Sequence, residues 1–116
     1  MEKLTAVYCR VASKNREDKR KGIEAQKSRL FRYARKRNPI AVRFYTDAGY
    51  SGNDEKRPGL KRLIRDIKKG KVSSILVSSL SRITRSARQY ADLMVFFQKQ
   101  DVSFQSLDRP QLSLKS

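Results

Sequence analysis

Alternating strand-type and helix-type segments are the feature that most constrains how this chain folds. Four short runs rich in β-branched and aromatic residues are separated by three segments with helical periodicity. The four runs cover residues 5–11, 42–45, 73–77 and 102–104. Strands joined by helices of this length form βαβ units, which have parallel strands and right-handed crossovers. The pattern predicts a single α/β domain, a three-layer sandwich around a mainly parallel four-stranded sheet.

The spacing of apolar residues locates the clearest helix in the segment RPGLKRLIRDIKKG. Its apolar residues fall at i, i+3, i+4 and i+7 and are Leu60, Leu63, Ile64 and Ile67. Pro58 near the start and Gly70 after the end fit the usual boundaries of a helix. The segment is therefore predicted to form one amphipathic helix that packs on the sheet.

Two further helices are predicted on the same grounds. One repeats the spacing at Tyr90, Leu93, Met94 and Phe97. Ser86 and Gln89 predict a capping box at its start. The other runs from about residue 23 to 37. The side chains that would face the core are those of Ile23, Leu30 and Tyr33 or Ala34.

The predicted core combines residues from these strands and helices. Its members are Val7, Cys9, Val42, Phe44, Leu63, Ile67, Ile75, Val77, Leu93 and Phe97. Cys9 is the single cysteine and lies in the apolar run TAVYC, so we interpret it as a small buried hydrophobe rather than a reactive thiol.

The absence of histidine restricts the chemistry. It excludes Ser-His-Asp and Cys-His catalysis and histidine ligation of zinc. Catalysis by this chain would have to use Ser, Arg, Lys, Asp, Gln and Tyr. We expect no metal and no cofactor.

The net charge predicts an anionic partner. The chain has 28 Lys and Arg against 11 Asp and Glu, a formal charge of +17. Nucleic acid is favoured over a membrane surface, because no predicted helix combines a basic face with exposed bulky apolar residues. A merely solubilising charged surface usually mixes both signs more evenly. No apolar run approaches the roughly 20 residues of a membrane span. The N-terminus lacks the features of a signal peptide. We therefore expect a cytoplasmic protein without membrane contact.

Polar segments follow three of the predicted strands, at the carboxyl edge where open parallel sheets bind ligands. They cover residues 12–22, 46–57 and 78–86. This edge carries four arginines and one carboxylate, namely Arg10, Arg57, Arg82, Arg85 and Asp47. Arg82 and Arg85 are three residues apart and would face the same way on a helical turn. Because guanidinium forks match phosphate oxygens, we expect a phosphate-binding site here.

The order and spacing of these segments resemble the serine recombinases, the resolvase/invertase family. In that family the first strand ends Tyr-x-Arg-Val-Ser, where residues 8–12 here read Tyr-Cys-Arg-Val-Ala. The family's Glu-x-Gln, Asp-x-x-x-Ser-Gly, Arg-Pro-Gly-Leu and Asp-Arg-x-x-Arg segments correspond to residues 24–26, 47–52, 57–60 and 81–85. The resemblance implies a resolvase-like (flavodoxin-like) domain over residues 1–107, with residues 108–116 as a poorly ordered tail.

The resemblance also implies a reaction. Family members cut and exchange DNA strands without metal or cofactor, through a serine that becomes linked to a 5′-phosphate. Carried over by position, the residues that would hold the scissile phosphate are Arg10, Arg57, Arg82 and Arg85. Gln26 and Asp47 would orient these arginines.

Two positions depart from the family pattern. Ala12 stands where the family has its nucleophilic serine, and Ser81 stands where it has an aspartate beside the arginine pair. Ser13 is the neighbouring hydroxyl and is therefore a candidate catalytic residue. However, neighbouring side chains at a strand end point to opposite faces, so Ser13 should point away from the site, and a turn or N-cap role is favoured for it.

The sequence leaves several roles open. Active relatives continue into a long dimer helix and a DNA-binding domain, which we do not expect in the remaining tail. We expect a DNA-binding, cleavage-deficient serine-recombinase domain that belongs to DNA recombination. The alternatives are cleavage through Ser13, a non-catalytic DNA-binding or regulatory partner of an active recombinase, and a remnant of a mobile element. A homo-oligomer or an active recombinase is the expected protein partner.

Overall fold

A parallel sheet forms the centre of the molecule. The computed structural model describes residues 3–36, 41–54 and 56–109. Its strands are β1 (Leu4–Val11), β2 (Val42–Ala48), β3 (Val72–Val77) and β4 (Ser103–Ser106). They are arranged in the order β2-β1-β3-β4, and every pairing is parallel. The predicted four-stranded sheet is confirmed.

Helices cover both faces of the sheet. They are α1 (Arg16–Lys36), α2 (Pro58–Lys68), α3 (Leu80–Ile83) and α4 (Ala87–Lys99). Helix α1 packs on one face, through Leu30 and Ala34, while α2 and α4 pack on the other, through Leu63, Ile67 and Phe97. The three-layer α/β architecture is thus confirmed. In the part of the chain that the structure describes, no helix is long and apolar enough to cross a membrane.

Helix α1 begins at Arg16, so the prediction of a start near residue 23 and a loop over residues 12–22 was wrong. Asn15 caps the helix, because its Oδ1 accepts the Asp18 backbone N–H at 3.0 Å. Glu17 and Asp18 place acidic side chains in the first turn, where they favour the helix dipole. The apolar periodicity that guided the prediction is absent here, since these residues are almost all exposed.

Strand β2 is longer than predicted and includes part of the expected loop over residues 46–57. Cys9 pairs with Thr46 and Arg10 with Asp47, which places Asp47 in a strand. The last residues of this strand include polar side chains of the candidate site. The apolar pattern of β2 therefore ends before its backbone pairing with β1 does. Strand β4 covers Ser103–Ser106, so it ends two residues after the predicted end at residue 104.

Helix α3 is short, and the prediction that Arg82 and Arg85 share a helical turn was wrong. The helix ends at Ile83, and Thr84 is extended with φ −160° and ψ 152°. Thr84 Oγ1 accepts the Ser86 backbone N–H at 3.1 Å. The following helix, α4, has the predicted Ser86 cap, whose Oγ accepts the Gln89 N–H at 3.2 Å, whereas the Gln89 side chain bonds to Thr84.

The sheet separates two hydrophobic clusters because successive β1 side chains point to opposite faces. Ala6 and Tyr8 belong to the α2/α4 side, Val7 and Cys9 to the α1 side. Of the predicted core, the fully buried or nearly buried members are Val7, Cys9, Leu63, Ile67, Ile75, Val77, Leu93 and Phe97. Burial raises the pKa of the Cys9 thiol to about 12, which confirms Cys9 as an unreactive core residue.

Val42 and Phe44 are only half-buried, so their assignment to the core was wrong. Both lie on β2, which is an edge strand of the sheet and is covered on this face only by α1. At the other end of the chain, Asp108 and Arg109 lie in a turn after β4. The rest of the predicted tail, residues 110–116, lies outside the described residues.

Gly59 allows α2 to start directly against β2. A Cβ built on Gly59 would lie 2.4 Å from the backbone oxygen of Thr46 and 3.0 Å from Asp47 Oδ1. Neither group is a flexible side-chain end, so a larger residue would push α2 off the sheet. The tight contact brings the first amides of α2 to Asp47.

We expect Gly59→Ala to lower the free energy of unfolding by about 1–3 kcal/mol, as overpacking typically does. The clash should outweigh the gain in helix propensity of about 1 kcal/mol that alanine gives over glycine. Urea unfolding followed by circular dichroism measures the change. Lys61→Ala, an exposed position on the same helix, is the control and should have little effect. Equal stability of the two variants would show that α2 can move away from β2 at little cost.

Candidate phosphate-binding site

Arg10 is the centre of the predicted site. It lies near the end of β1 on the same face as Tyr8 and is fully buried. Its guanidinium donates three hydrogen bonds of 2.8 Å, from Nε to the Arg82 carbonyl, from Nη1 to the Tyr50 carbonyl and from Nη2 to the Ser81 carbonyl. Arg10 thus uses three of its five N–H groups to connect β1 with the loop after β2 and with the segment after β3 that contains the short helix α3. We call these two segments the two loops of the site.

Arg57 is the second fully buried arginine. Its Nε donates to the Asp54 carbonyl at 2.9 Å and its Nη1 to the Ile83 carbonyl at 2.7 Å. Nη1 also lies 3.3 Å from the Tyr8 hydroxyl. Arg57 Nη2, by contrast, is buried and has no hydrogen-bond partner within the described residues.

Arg82 and Arg85 lie next to this pair but are less constrained. Arg82 Nη1 donates to the Arg10 carbonyl at 3.1 Å, and Arg82 Nε is buried without a partner in the part of the chain described. Arg85 is exposed and packs over Gly52. A Cβ built on Gly52 would lie 3.0 Å from Arg85 Cγ and 3.2 Å from Arg10 Nη2, so glycine permits this approach of the two arginines.

The electrostatics show that these arginines form one cluster. Burial lowers the pKa of Arg10, and the positive charges of Arg57, Arg85 and Arg82 lower it further, against an opposing effect of Tyr8. The structure therefore brings together all four arginines that the sequence predicted. We call Arg10, Arg57, Arg82 and Arg85 the arginine cluster. Such crowded positive charge favours a bound anion.

Asp47 is buried beside the cluster, with its carboxylate bound to α2. Oδ1 accepts the Gly59 N–H at 2.6 Å, and Oδ2 accepts the Leu60 N–H at 2.9 Å. Arg57, at the N-cap position, has no capping side-chain bond, so Asp47 supplies the cap from the neighbouring strand. Oδ2 also accepts the Tyr8 hydroxyl at 2.7 Å. Asp47 therefore reaches Arg57 through Tyr8 rather than by binding a guanidinium directly, which differs from the expected orientation.

Gln26 acts on the backbone of Arg10. Its Nε2 donates to the Arg10 carbonyl at 2.9 Å, and its Oε1 accepts the Arg10 N–H at 3.2 Å. The side chain is buried on α1, so this pair fixes the end of β1 against the helix. Gln26 thus positions Arg10 through its main chain.

The hydroxyls of the candidate Ser13 and of Ser81, which stands in place of the family's aspartate, are bonded to other groups. Ser13 Oγ accepts the Asn15 N–H at 3.1 Å and donates to Asp18 Oδ2 at 3.5 Å, as a turn serine before α1 does. Ser81 Oγ lies 3.0 Å from Ser79 Oγ. Ala12 is exposed and directly follows β1, two positions after Arg10.

Tyr8 is a part of the site that the sequence analysis did not include. It links Asp47 to Arg57, and its ring lies 6.0 Å from the Arg57 guanidinium carbon. Burial raises the pKa of Tyr8, with a further contribution from the Asp47 hydrogen bond, so the phenol stays protonated as a donor. The available signal was its place two residues before Arg10, on the same face of one strand.

The arginine cluster lies at the carboxyl edge of a parallel α/β sheet, the edge at which open α/β sheets bind their ligands. The family model of the resolvase N-terminal domain matches residues 5–115 of this chain. The chain belongs to the resolvase family, as its sequence segments implied.

Solved structures support this assignment, and a phage protein is similar in sequence. The N-terminal catalytic domain of TP901-1 integrase superposes with a TM-score of 0.82 and 35% identity, over 91% of this chain and 79% of that one. A resolvase family site-specific recombinase from Streptococcus pneumoniae superposes with a TM-score of 0.79 and 32% identity, over 94% of this chain and 74% of that one. Uncharacterized immunity region protein 3 of Bacillus phage phi105 is 32% identical over 68 residues, which are 59% of this chain and 83% of that protein. The fold is that of serine-recombinase catalytic domains.

Because Arg10 holds two loops by the shape of its fork, Arg10→Lys should destabilise the protein although the charge is kept. A lysine ammonium cannot reach all three carbonyls, and we expect a loss on the order of 3 kcal/mol, measured by urea unfolding. Arg85→Lys is the matched control, because Arg85 is exposed and should lose less than about 0.5 kcal/mol. Unchanged stability of Arg10→Lys would mean that the three carbonyl bonds are not needed for the fold.

Proposed function

We propose that this chain binds the DNA backbone through the arginine cluster and serves DNA recombination as a serine-recombinase domain that does not cleave DNA itself. The observation that carries the proposal is Ala12, which follows β1 beside the cluster at the position of the family's nucleophile. Binding and attack on phosphorus use different groups, so one can be kept when the other is lost. In this role another recombinase supplies the nucleophile, and this chain binds a phosphate of the DNA backbone.

Unsatisfied donors support phosphate binding. Arg57 Nη2 and Arg82 Nε are buried, and within the described residues neither has an acceptor. Buried donors normally have partners, and leaving a charged donor without one costs free energy. The nearest carboxylate of the site, Asp47, already accepts three hydrogen bonds. A phosphate oxygen would provide the missing acceptors, with charge-assisted bonds from a guanidinium.

The surroundings of Ala12 support the absence of cleavage. A methyl group has no lone pair with which to attack phosphorus. Ser13 Oγ is bonded to the Asn15 N–H and to Asp18 at the start of α1, and not to a residue of the arginine cluster. In enzymes with a covalent intermediate, loss of the nucleophile costs on the order of a million-fold in rate.

We expect this protein to bind duplex DNA with little sequence preference and with steep weakening by salt. Each neutralised phosphate should contribute about −0.9 to the slope of log affinity against log salt concentration. Arg82→Ala and Arg85→Ala should each weaken binding by ~1.5–3 kcal/mol, against less than ~1 kcal/mol for the exposed control Lys69→Ala. Fluorescence anisotropy with a labelled duplex measures all three variants. A flat salt response, or equal losses for the three variants, would contradict binding through the cluster.

We expect no covalent adduct when the unaltered protein is incubated with supercoiled plasmid and analysed by denaturing gel electrophoresis. Ala12→Ser restores the hydroxyl, and Ala12→Ser with Ser81→Asp also restores the family's carboxylate beside the arginine pair. Formation of a phosphoserine link by the double variant would support Ala12 as the cause of inactivity. The control is Ser13→Ala. If the unaltered protein forms an adduct that Ser13→Ala abolishes, then Ser13 is the nucleophile and the proposal is wrong.

A further inference from the structure

A second positively charged feature lies away from the arginine cluster. It is an open groove of about 710 Å³ beside the C-terminal half of α1. Its lining residues are Arg29, Arg32, Tyr33, Arg35, Lys36 and Leu107. We call this feature the α1 groove. Four of the six side chains are cationic.

The groove results from the way the sheet is covered. Helix α1 packs on β1, β2 and β3, and it is the helix that packs on this face among the described residues. Strand β4 lies at the far edge of the sheet, next to β3. Leu107 follows β4, and its N–H donates to the Val77 carbonyl at 3.0 Å. The groove is therefore the space between the flank of α1 and the chain that leaves β4.

Within the residues that the structure describes, the cations of the groove are not paired with carboxylates. Arg29, Arg32 and Lys36 are exposed and are spaced i, i+3 and i+7, so they share one side of α1. Within the described residues, none of them has a carboxylate within 4.0 Å. The first half of the same helix is different, since Arg20 pairs with Glu17 at 2.8 Å and with Glu24 at 3.2 Å. The acidic residues of α1, which are Glu17, Asp18 and Glu24, thus all lie before the groove half of the helix.

We propose that the α1 groove binds the sugar-phosphate backbone of duplex DNA, as a second contact separate from the arginine cluster. From Arg29 to Lys36 the helix rises about 10.5 Å. The exposed cations thus span the axial length of a few successive phosphates of one strand, which are spaced roughly 3.4 Å along the duplex axis. Tyr33 and Leu107 provide an apolar wall that a deoxyribose can contact.

The two contacts lie on different sides of the sheet. The side chains of Arg10 and Arg57 point to the α2 and α3 side, whereas the groove lies on the α1 side. Phosphates in the groove would therefore be additional to any phosphate held by the cluster. The inference rests on the proposed DNA binding and extends it to a second surface.

The test compares two triple variants that remove the same charge from two helices. One is Arg29→Gln, Arg32→Gln and Lys36→Gln in the groove, and the other is Lys61→Gln, Arg62→Gln and Arg65→Gln on the exposed side of α2. Glutamine has a helix propensity close to those of arginine and lysine, so both should fold, and circular dichroism checks this. Affinity for a duplex of about 20 base pairs is measured by anisotropy over a salt series.

We expect the groove variant to reduce the slope of log affinity against log salt by about 2.7, and the α2 variant by less than about 1. Arg29→Lys with Arg32→Lys should retain the slope of the unaltered chain, because phosphate neutralisation needs only the charge. Equal slopes for the two triple variants would overturn the inference. A loss seen with single-stranded DNA but not with the duplex would overturn it as well.

The same series separates this inference from the proposed function. If the affinity depends on Arg82 and Arg85 while the groove variant matches the α2 control, the groove assignment alone fails. If the groove variant loses affinity while Arg82→Ala and Arg85→Ala do not, the groove assignment stands and the cluster proposal fails. If the unaltered chain does not bind duplex DNA, both fail.

Discussion

The buried guanidinium of Arg10 is the interaction on which the functional edge of this protein depends. An isolated charge is expensive to bury, and here the compensation comes from backbone carbonyls instead of a carboxylate. The Tyr50 carbonyl lies in the loop after β2, and the Ser81 and Arg82 carbonyls lie in α3, within the loop after β3. A planar fork can bind three acceptors in fixed directions, so one side chain sets the distance between the loops and the end of β1. The main-chain bonds of Gln26 to Arg10 fix that end in turn.

A second set of interactions places Arg57, and it is built around Asp47. This carboxylate accepts hydrogen bonds from two amides at the start of α2 and from the Tyr8 hydroxyl, and within the described residues it makes no direct hydrogen bond to a guanidinium of the cluster. The close approach that Gly59 permits is needed for this, since α2 has to reach the strand. The negative charge nearest to the arginines is thus largely used for the helix N-terminus, where a carboxylate is stabilised by the dipole. The cluster consequently keeps its attraction for an external anion.

The sequence predicted the architecture well and the site only partly, for physical reasons. Apolar periodicity and β-branched runs report burial, so the sheet, α2 and α4 could be predicted from them. Polar segments carry no such signal, which is why the start of α1 at Arg16 and the continuation of β2 to Ala48 were missed. The arginines could be brought to one edge because parallel strands end together. Their hydrogen-bond partners could not be predicted, since these are carbonyls of distant loops and have no residue-type signature.

The structure also shows that the arginines of the cluster do not all have the same task. Arg10 and Arg57 are fully buried and bound to carbonyls, whereas Arg85 is exposed. Arg82 binds a carbonyl through Nη1, and its Nε has no hydrogen-bond partner within the described residues. A residue that builds the pocket cannot be exchanged without changing the pocket, while a residue that only offers a charge can. A nucleophile is also a residue that can be exchanged without changing the pocket. The position of Ala12 is exposed, so a side chain there holds no other group in place. A chain of this family would therefore keep its fold and its arginine cluster when the serine at this position is replaced by alanine.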